Sequence, residues 1–98
     1  MAFERCLPQV YSADSVRRNA PAASGVYGIS NAQHWLYVGE SDNIQASLYA
    51  HLAVIQPNGD LKPSGYRFEL CDAAGRRSRQ TRLISELAPV CQQKLDPR

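Results

Sequence analysis

Ser24 to Leu52, SGVYGISNAQHWLYVGESDNIQASLYAHL, decides the fold, because it alone combines a hairpin, a helix start and a group of site-type residues. Gly25-Val26-Tyr27 opens one strand that runs to about Ser30, and Leu36-Tyr37-Val38-Gly39 forms a second. The polar stretch from Asn31 to His34 turns between them. Alternation places Tyr27 on a face with Ile29 and Tyr37 on a face with Trp35, so the two phenols are expected side by side across the ladder. Ser41 or Asp42 caps the following helix, whose apolar positions Ile44, Leu48, Leu52 and Ile55 fall on one stripe with His51 beside them.

Downstream, Gln56 to Ser64 (QPNGDLKPS) holds two prolines and an Asn-Gly pair and reads as a loop too short for a domain linker. Gly65 to Cys71 alternates as a third strand, with Tyr66, Phe68 and Leu70 on one side and Arg67 and Glu69 on the other. Asp72-Ala73-Ala74-Gly75 turns the chain. From Arg76 to about Ala88 a second helix sets Gln80, Leu83, Ile84 and Leu87 on one face, and Pro89 stops it. Upstream of the hairpin the pattern is weak: Val10 and Tyr11 are a candidate short strand, and Ser12 to Asn19 holds a helical turn around Val16. Arg17-Arg18 reads as solvated surface or a phosphate contact.

Ninety-eight residues suit one small domain with one core. The 44% hydrophobic and 20% charged residues are ordinary for a globular chain and exclude disorder as the organising state. No apolar run approaches a membrane span, and the amino terminus has no apolar core of signal-peptide length, so the expectation is a cytoplasmic protein without a membrane partner. Cys6, Cys71 and Cys91 are odd in number and in no paired C-x-x-C, which argues against a disulfide framework and a zinc site. A net charge of +2 does not by itself imply nucleic-acid binding. It hides a local run, however: Arg76, Arg77, Arg79 and Arg82 place four positive charges in seven residues with no acid among them. That run reads either as backbone contacts to nucleic acid or as a solvated face balanced by Glu69, Asp72 and Glu86.

With these residues in view, the chain resembles the GIY-YIG nucleases, whose name records two tripeptides that read Gly25-Val26-Tyr27 and Tyr37-Val38-Gly39 here. In that family the second tripeptide leads into a helix bearing an arginine and, one turn later, a histidine; the two positions are Ser47 and His51 here. Farther on, the family has a metal-binding glutamate three residues before a Leu-Ile pair, then a proline and an asparagine. This chain has Gln80, Leu83-Ile84, Pro89 and Gln92 at those offsets. The resemblance spans about Pro21 to Gln92. It implies an α+β fold in a single small domain, residues 21–95 after an extension of 1–20. A three-stranded antiparallel sheet is flanked by helices from about Asn43 and Arg76.

The resemblance also implies phosphodiester hydrolysis with one Mg2+ or Mn2+ ion, a tyrosine near the attacking water and an arginine near the developing charge. Tyr27, Tyr37 and His51 are the catalytic residues it carries over, while Ser47, Gln80 and Gln92 stand at altered positions. A serine cannot carry the guanidinium charge, and a neutral amide is a weak ligand for a hard cation. The expected function is therefore a catalytically impaired, nuclease-like pseudoenzyme, with no cofactor. It binds nucleic acid, DNA rather than RNA, through the former active-site face and the arginines 76, 77, 79 and 82. Two alternatives stay open: an active endonuclease in which Glu40 replaces the lost metal ligand, and a protein-interaction module. Glu40 also reads as an ordinary carboxylate at a helix amino end.

Overall fold

The computed structural model describes residues 9–31, 34–55 and 64–89. Its elements are β1 (Gln9–Val10), α1 (Ala13–Asn19), β2 (Gly25–Ser30), β3 (Trp35–Ser41), α2 (Ile44–Ile55), β4 (Gly65–Leu70) and α3 (Ala73–Leu87). The strands form one antiparallel sheet in the order β1-β4-β2-β3. The sheet thus has four strands rather than the three expected. The fourth, β1, sets Gln9 and Val10 opposite Tyr66 and Gly65, and two residues carry too little alternation to announce a sheet strand.

Tyr11, Val16 and Ala20 join the same core as the hairpin and α2. Ser12 caps α1 by accepting from Ser15 N–H at 3.2 Å, and Val16 is fully buried. Tyr11 Oη donates to the Leu48 carbonyl at 2.7 Å, Tyr66 Oη donates to the Ser15 carbonyl at 3.1 Å, and Gln45 Nε2 reaches the carbonyls of Arg17 and Ala20. The Gln45 bonds close the carboxyl end of α1 onto α2, Tyr66 ties α1 to β4, and Tyr11 ties the segment before α1 to α2. Arg17 and Arg18 lie on the exposed side beside Asp14, where ion pairs contribute little.

The two faces of the sheet carry different helices. Tyr27, Ile29, Leu36, Tyr37 and Tyr66 pack under α1 and α2 with Ile44, Leu48 and Leu52; Val26 and Val38 pack under α3 with Leu83. Full burial of each of the last three contributes about 1.5–3 kcal/mol. The expected sharing of a face by Tyr37 and Trp35 fails. The register shifts between Ile29 and Ser30, so that Ile29 faces Tyr37 while Ser30 faces Trp35. The extra residue turns Leu36 and Tyr37 into one cluster and sends Trp35 to the α3 side. There Arg67 stands 6.0 Å over its ring. On β4, Tyr66 is buried and Phe68 packs against the core, but Leu70 at the strand end is exposed.

The helix α2 starts where expected but with another cap, and α3 starts three residues earlier than expected. Asn43, not Ser41 or Asp42, caps α2, its Oδ1 accepting from Ala46 N–H at 3.0 Å, while Ser41 Oγ accepts from Asn43 N–H at 2.9 Å. The run 72–75, read as a turn, is the first turn of α3: Asp72 Oδ1 accepts from Gly75 N–H at 2.8 Å. Asp and Gly signal a helix cap as readily as a turn. At the far end Ala88, with φ 48°, closes the helix through its N–H to the Ile84 carbonyl at 2.9 Å.

Two glycines of the hairpin are required by close approach. A Cβ at Gly25 would lie 2.2 Å from the Glu69 carbonyl oxygen and 2.8 Å from Ile44 Cδ1; at Gly39 it would lie 2.4 Å from both Cζ and Oη of Tyr27. The first obstacle is sheet backbone, the second a locked ring. Gly25→Ala and Gly39→Ala are therefore both expected to destabilise the domain by about 1–3 kcal/mol, Gly25→Ala by more. Urea unfolding followed by circular dichroism measures this, and equal stability of either variant with the parent would contradict the packing described.

Candidate functional site

The site grows from three elements that converge on one phenol. Tyr27 projects from the central strand β2 over the backbone of Gly39 on β3, its register partner. Its hydroxyl lies 2.9 Å from His51 Nε2 on α2. Tyr37, diagonal to Tyr27 on the same face, completes a triangle of rings: centroids are 6.1 Å apart between the tyrosines, 5.8 Å from Tyr27 to His51 and 4.7 Å from Tyr37 to His51. Tyr27 is 2% exposed and Tyr37 4%.

Ser47, one helical turn before His51, closes the cluster from the other side. Its hydroxyl donates to Ser41 Oγ at 2.6 Å, and Ser47 is near enough to Tyr27 to bear on the charge of its phenol. Two polar pairs, Ser41 with Ser47 and Tyr27 with His51, thus stand side by side. Burial raises the Tyr27 phenol far above its usual value, the neighbouring Tyr37 adds to this, and Ser47 works against it. Burial lowers the His51 imidazole. At neutral pH the phenol is protonated and the imidazole neutral, so a single proton links Tyr27 Oη to His51 Nε2. The cluster can hold or pass a proton but carries no net charge.

The remaining expected site residues lie elsewhere. Gln80 meets the rim of β3 from the α3 side, its Nε2 donating to the Val38 carbonyl at 3.2 Å. Glu40 is the register partner of Val26 and so lies on the α3 face, opposite to Tyr27. There it forms an ion pair with Arg76, in which the side chains are 14% and 21% exposed. Arg76 Nη1 also donates to Ser24 Oγ at 3.0 Å. Arg79 forks onto Glu69, with Nε to Oε2 at 2.7 Å and Nη2 to Oε1 at 3.1 Å, and this partner holds the Glu69 carboxyl below its ordinary range. Two of the four arginines are thus engaged by carboxylates in the row Glu40, Val26, Glu69 beneath α3. Arg77 and Arg82 are exposed and enter none of the ion pairs among the described residues. Gln92, Cys6 and Cys91 lie outside the described residues; Cys71 is half-buried against the α3 cluster.

Sequence reasoning missed Ser41 as a partner of Ser47 and Ser24 as a partner of Arg76, and nothing in their spacing could have shown either. A protein site for a hard divalent cation is ordinarily built on one or more carboxylate oxygens. Around Tyr27 the donors are phenols, an imidazole and hydroxyls. Glu40 is turned to Arg76 on the other face, and among the described residues no three His, Cys, Asp or Glu side chains gather. This set does not fit Mg2+.

A small α+β domain with an antiparallel sheet, helices on both faces and two tyrosines converging from a glycine-flanked hairpin defines a GIY-YIG nuclease-like fold. The solved structures agree. The magnesium-bound N-terminal GIY-YIG endonuclease domain of UvrC from Thermotoga maritima matches with a TM-score of 0.62 at 18% identity, over 76% of this chain and 91% of that one. Two point-mutant forms of the same domain bound to its catalytic divalent cation give TM-scores of 0.60 and 0.61 at 17% and 18% identity, again over 76% of this chain and 91% and 90% of theirs. At such identity the likeness is one of fold. No protein-family model matches the chain, and no curated protein matches it in sequence.

The lowered His51 gives a pH dependence with a definite sign. Below its ordinary value of 6.5 the unfolded chain takes up a proton at His51 that the folded domain refuses. Stability present above that pH is therefore lost as the pH falls through 6.5 toward the folded value. Chemical unfolding between roughly pH 8 and pH 5 is expected to show this decline, and His51→Gln to flatten it. An unchanged slope in the variant would place the titration elsewhere.

Proposed function

We propose that this domain is a nuclease-like fold that does not cut and that holds nucleic acid, DNA in the first place, by its phosphate backbone. One observation carries the reading: both positions at which the resemblance puts charge are neutral and engaged internally, Ser47 with Ser41 and Gln80 with the Val38 carbonyl. Loss of a single preorganised charge-stabilising group costs a hydrolytic site about 10²–10³ in rate. Here two are gone, while the surrounding tyrosines and histidine keep their packing. Glu40, the substitute metal ligand considered from sequence, is neutralised by Arg76, which removes the support for a displaced metal site.

Binding falls to the outward arginines of α3. Arg76 and Arg79 stay with their carboxylates, so Arg77 and Arg82 are the cations available to phosphates. Two phosphates neutralised give a log–log salt dependence of slope about −2 on duplex DNA. Fluorescence anisotropy of a labelled duplex across a salt series tests this, with an RNA duplex as control. Weak, salt-sensitive DNA binding is expected, and Arg77→Gln with Arg82→Gln should abolish most of it. Absence of binding at low salt would contradict the nucleic-acid reading and favour a protein partner.

A further inference from the structure

The hydrogen bond of Gln80 is more than a passive contact, because of the direction of the carbonyl it meets. The Ser24 carbonyl accepts from Cys71 N–H at 3.1 Å, so at that residue the β2 backbone is turned toward the β4 side. Two-residue alternation turns Val26 and Gly28 the same way. Gly28 is the register partner of Val38, so that pair is not hydrogen-bonded and the Val38 carbonyl points away from β2. β3 is one of the two outer strands of the sheet, and Val38 is fully buried. A buried outward carbonyl at a sheet rim requires a donor, and Gln80 Nε2 provides one from α3.

We infer that Gln80 is the latch that closes the outer strand β3 and fixes α3 to it, so that position 80 has become a donor position closed to a carboxylate. A glutamate is nearly the same shape, but when ionised it is an acceptor only and would set oxygen against oxygen. Protonated, it can donate again. The change that would return the resembled family's acidic residue therefore breaks this fold's own bond. The latch stands whether or not the domain binds nucleic acid.

Gln80→Glu and Gln80→Leu separate this from a neutral surface position. The charged and titratable groups flanking position 80 are Arg76 with Glu40 of β3, Arg79 with Glu69 of β4 and the adjoining Cys71, and Arg67 of β4, which shares the row of Gly28 and Val38, while exposed Arg77 lies one turn earlier. β2 presents Val26, Gly28 and Ser30 on this face, none of them charged, and the titrating His51 belongs to the other. All of these are common to parent and variants; Gln80→Leu, which gives the arginines no new carboxylate, isolates the bond itself, and Gln80→Glu adds the dependence on protonation. In urea unfolding at alkaline pH both variants are expected to raise the unfolding constant about tenfold. The folded glutamate favours its protonated form, so its contribution is present at low pH and lost as pH rises through its folded value. Gln80→Glu should therefore approach the parent in acid, whereas Gln80→Leu should not. If Gln80→Glu fails to fold at any pH, Gln80→Leu decides. Parent-like stability of Gln80→Leu, or of Gln80→Glu at alkaline pH, overturns the latch.

Discussion

The seat of the Tyr27 ring on the bare backbone of Gly39 is the contact on which the structure depends. It needs a glycine at position 39, it draws β2 and β3 to their register, and it aims the hydroxyl at His51 on α2. Gly25 plays the corresponding part at the other strand of the hairpin, where Glu69 of β4 and Ile44 of α2 come too close for any Cβ. The two glycine-tyrosine tripeptides are thus explained by packing alone, before any chemistry is asked of them. A fold can require such residues for their shape whatever chemistry it carries.

The positions at which this chain differs from the resembled family lie where shape and charge can be exchanged cheaply. Ser47 keeps the helix and sets a hydroxyl on Ser41 beside the pair of Tyr27 and His51; Gln80 keeps the length of a carboxylate and gains a donor. On the α3 side the charges that remain serve the fold. The ion pairs Arg76–Glu40 and Arg79–Glu69 stand on either side of Val26 and hold the amino-terminal half of α3 to the sheet. Partly exposed pairs of this kind each contribute up to about 1 kcal/mol, less at high salt. Their greater effect is to remove two cations from the surface and leave Arg77 and Arg82 outward.

Much of this was legible in the sequence and some was not, for identifiable reasons. The hairpin, the stripe of Ile44, Leu48 and Leu52, and the buried Leu83 follow local periodicity, which a chain displays directly. The bulge that parts Trp35 from Tyr37 adds one residue to a ladder and leaves no mark in composition. β1 is too short to show a period. The contacts that settle the character of the site join residues far apart in the chain: Gln80 with Val38, Arg76 with Glu40 and Ser24. The run of four arginines was visible; which two were already paired was not.

The central claim is that the charged positions of a cutting site have become internal hydrogen bonds. Incubating the purified domain with supercoiled plasmid in Mg2+ and in Mn2+, and resolving the products on a gel, tests it most directly. The account predicts plasmid that remains supercoiled in both metals. Relaxed or linear product that depends on metal and disappears in Tyr27→Phe would contradict it.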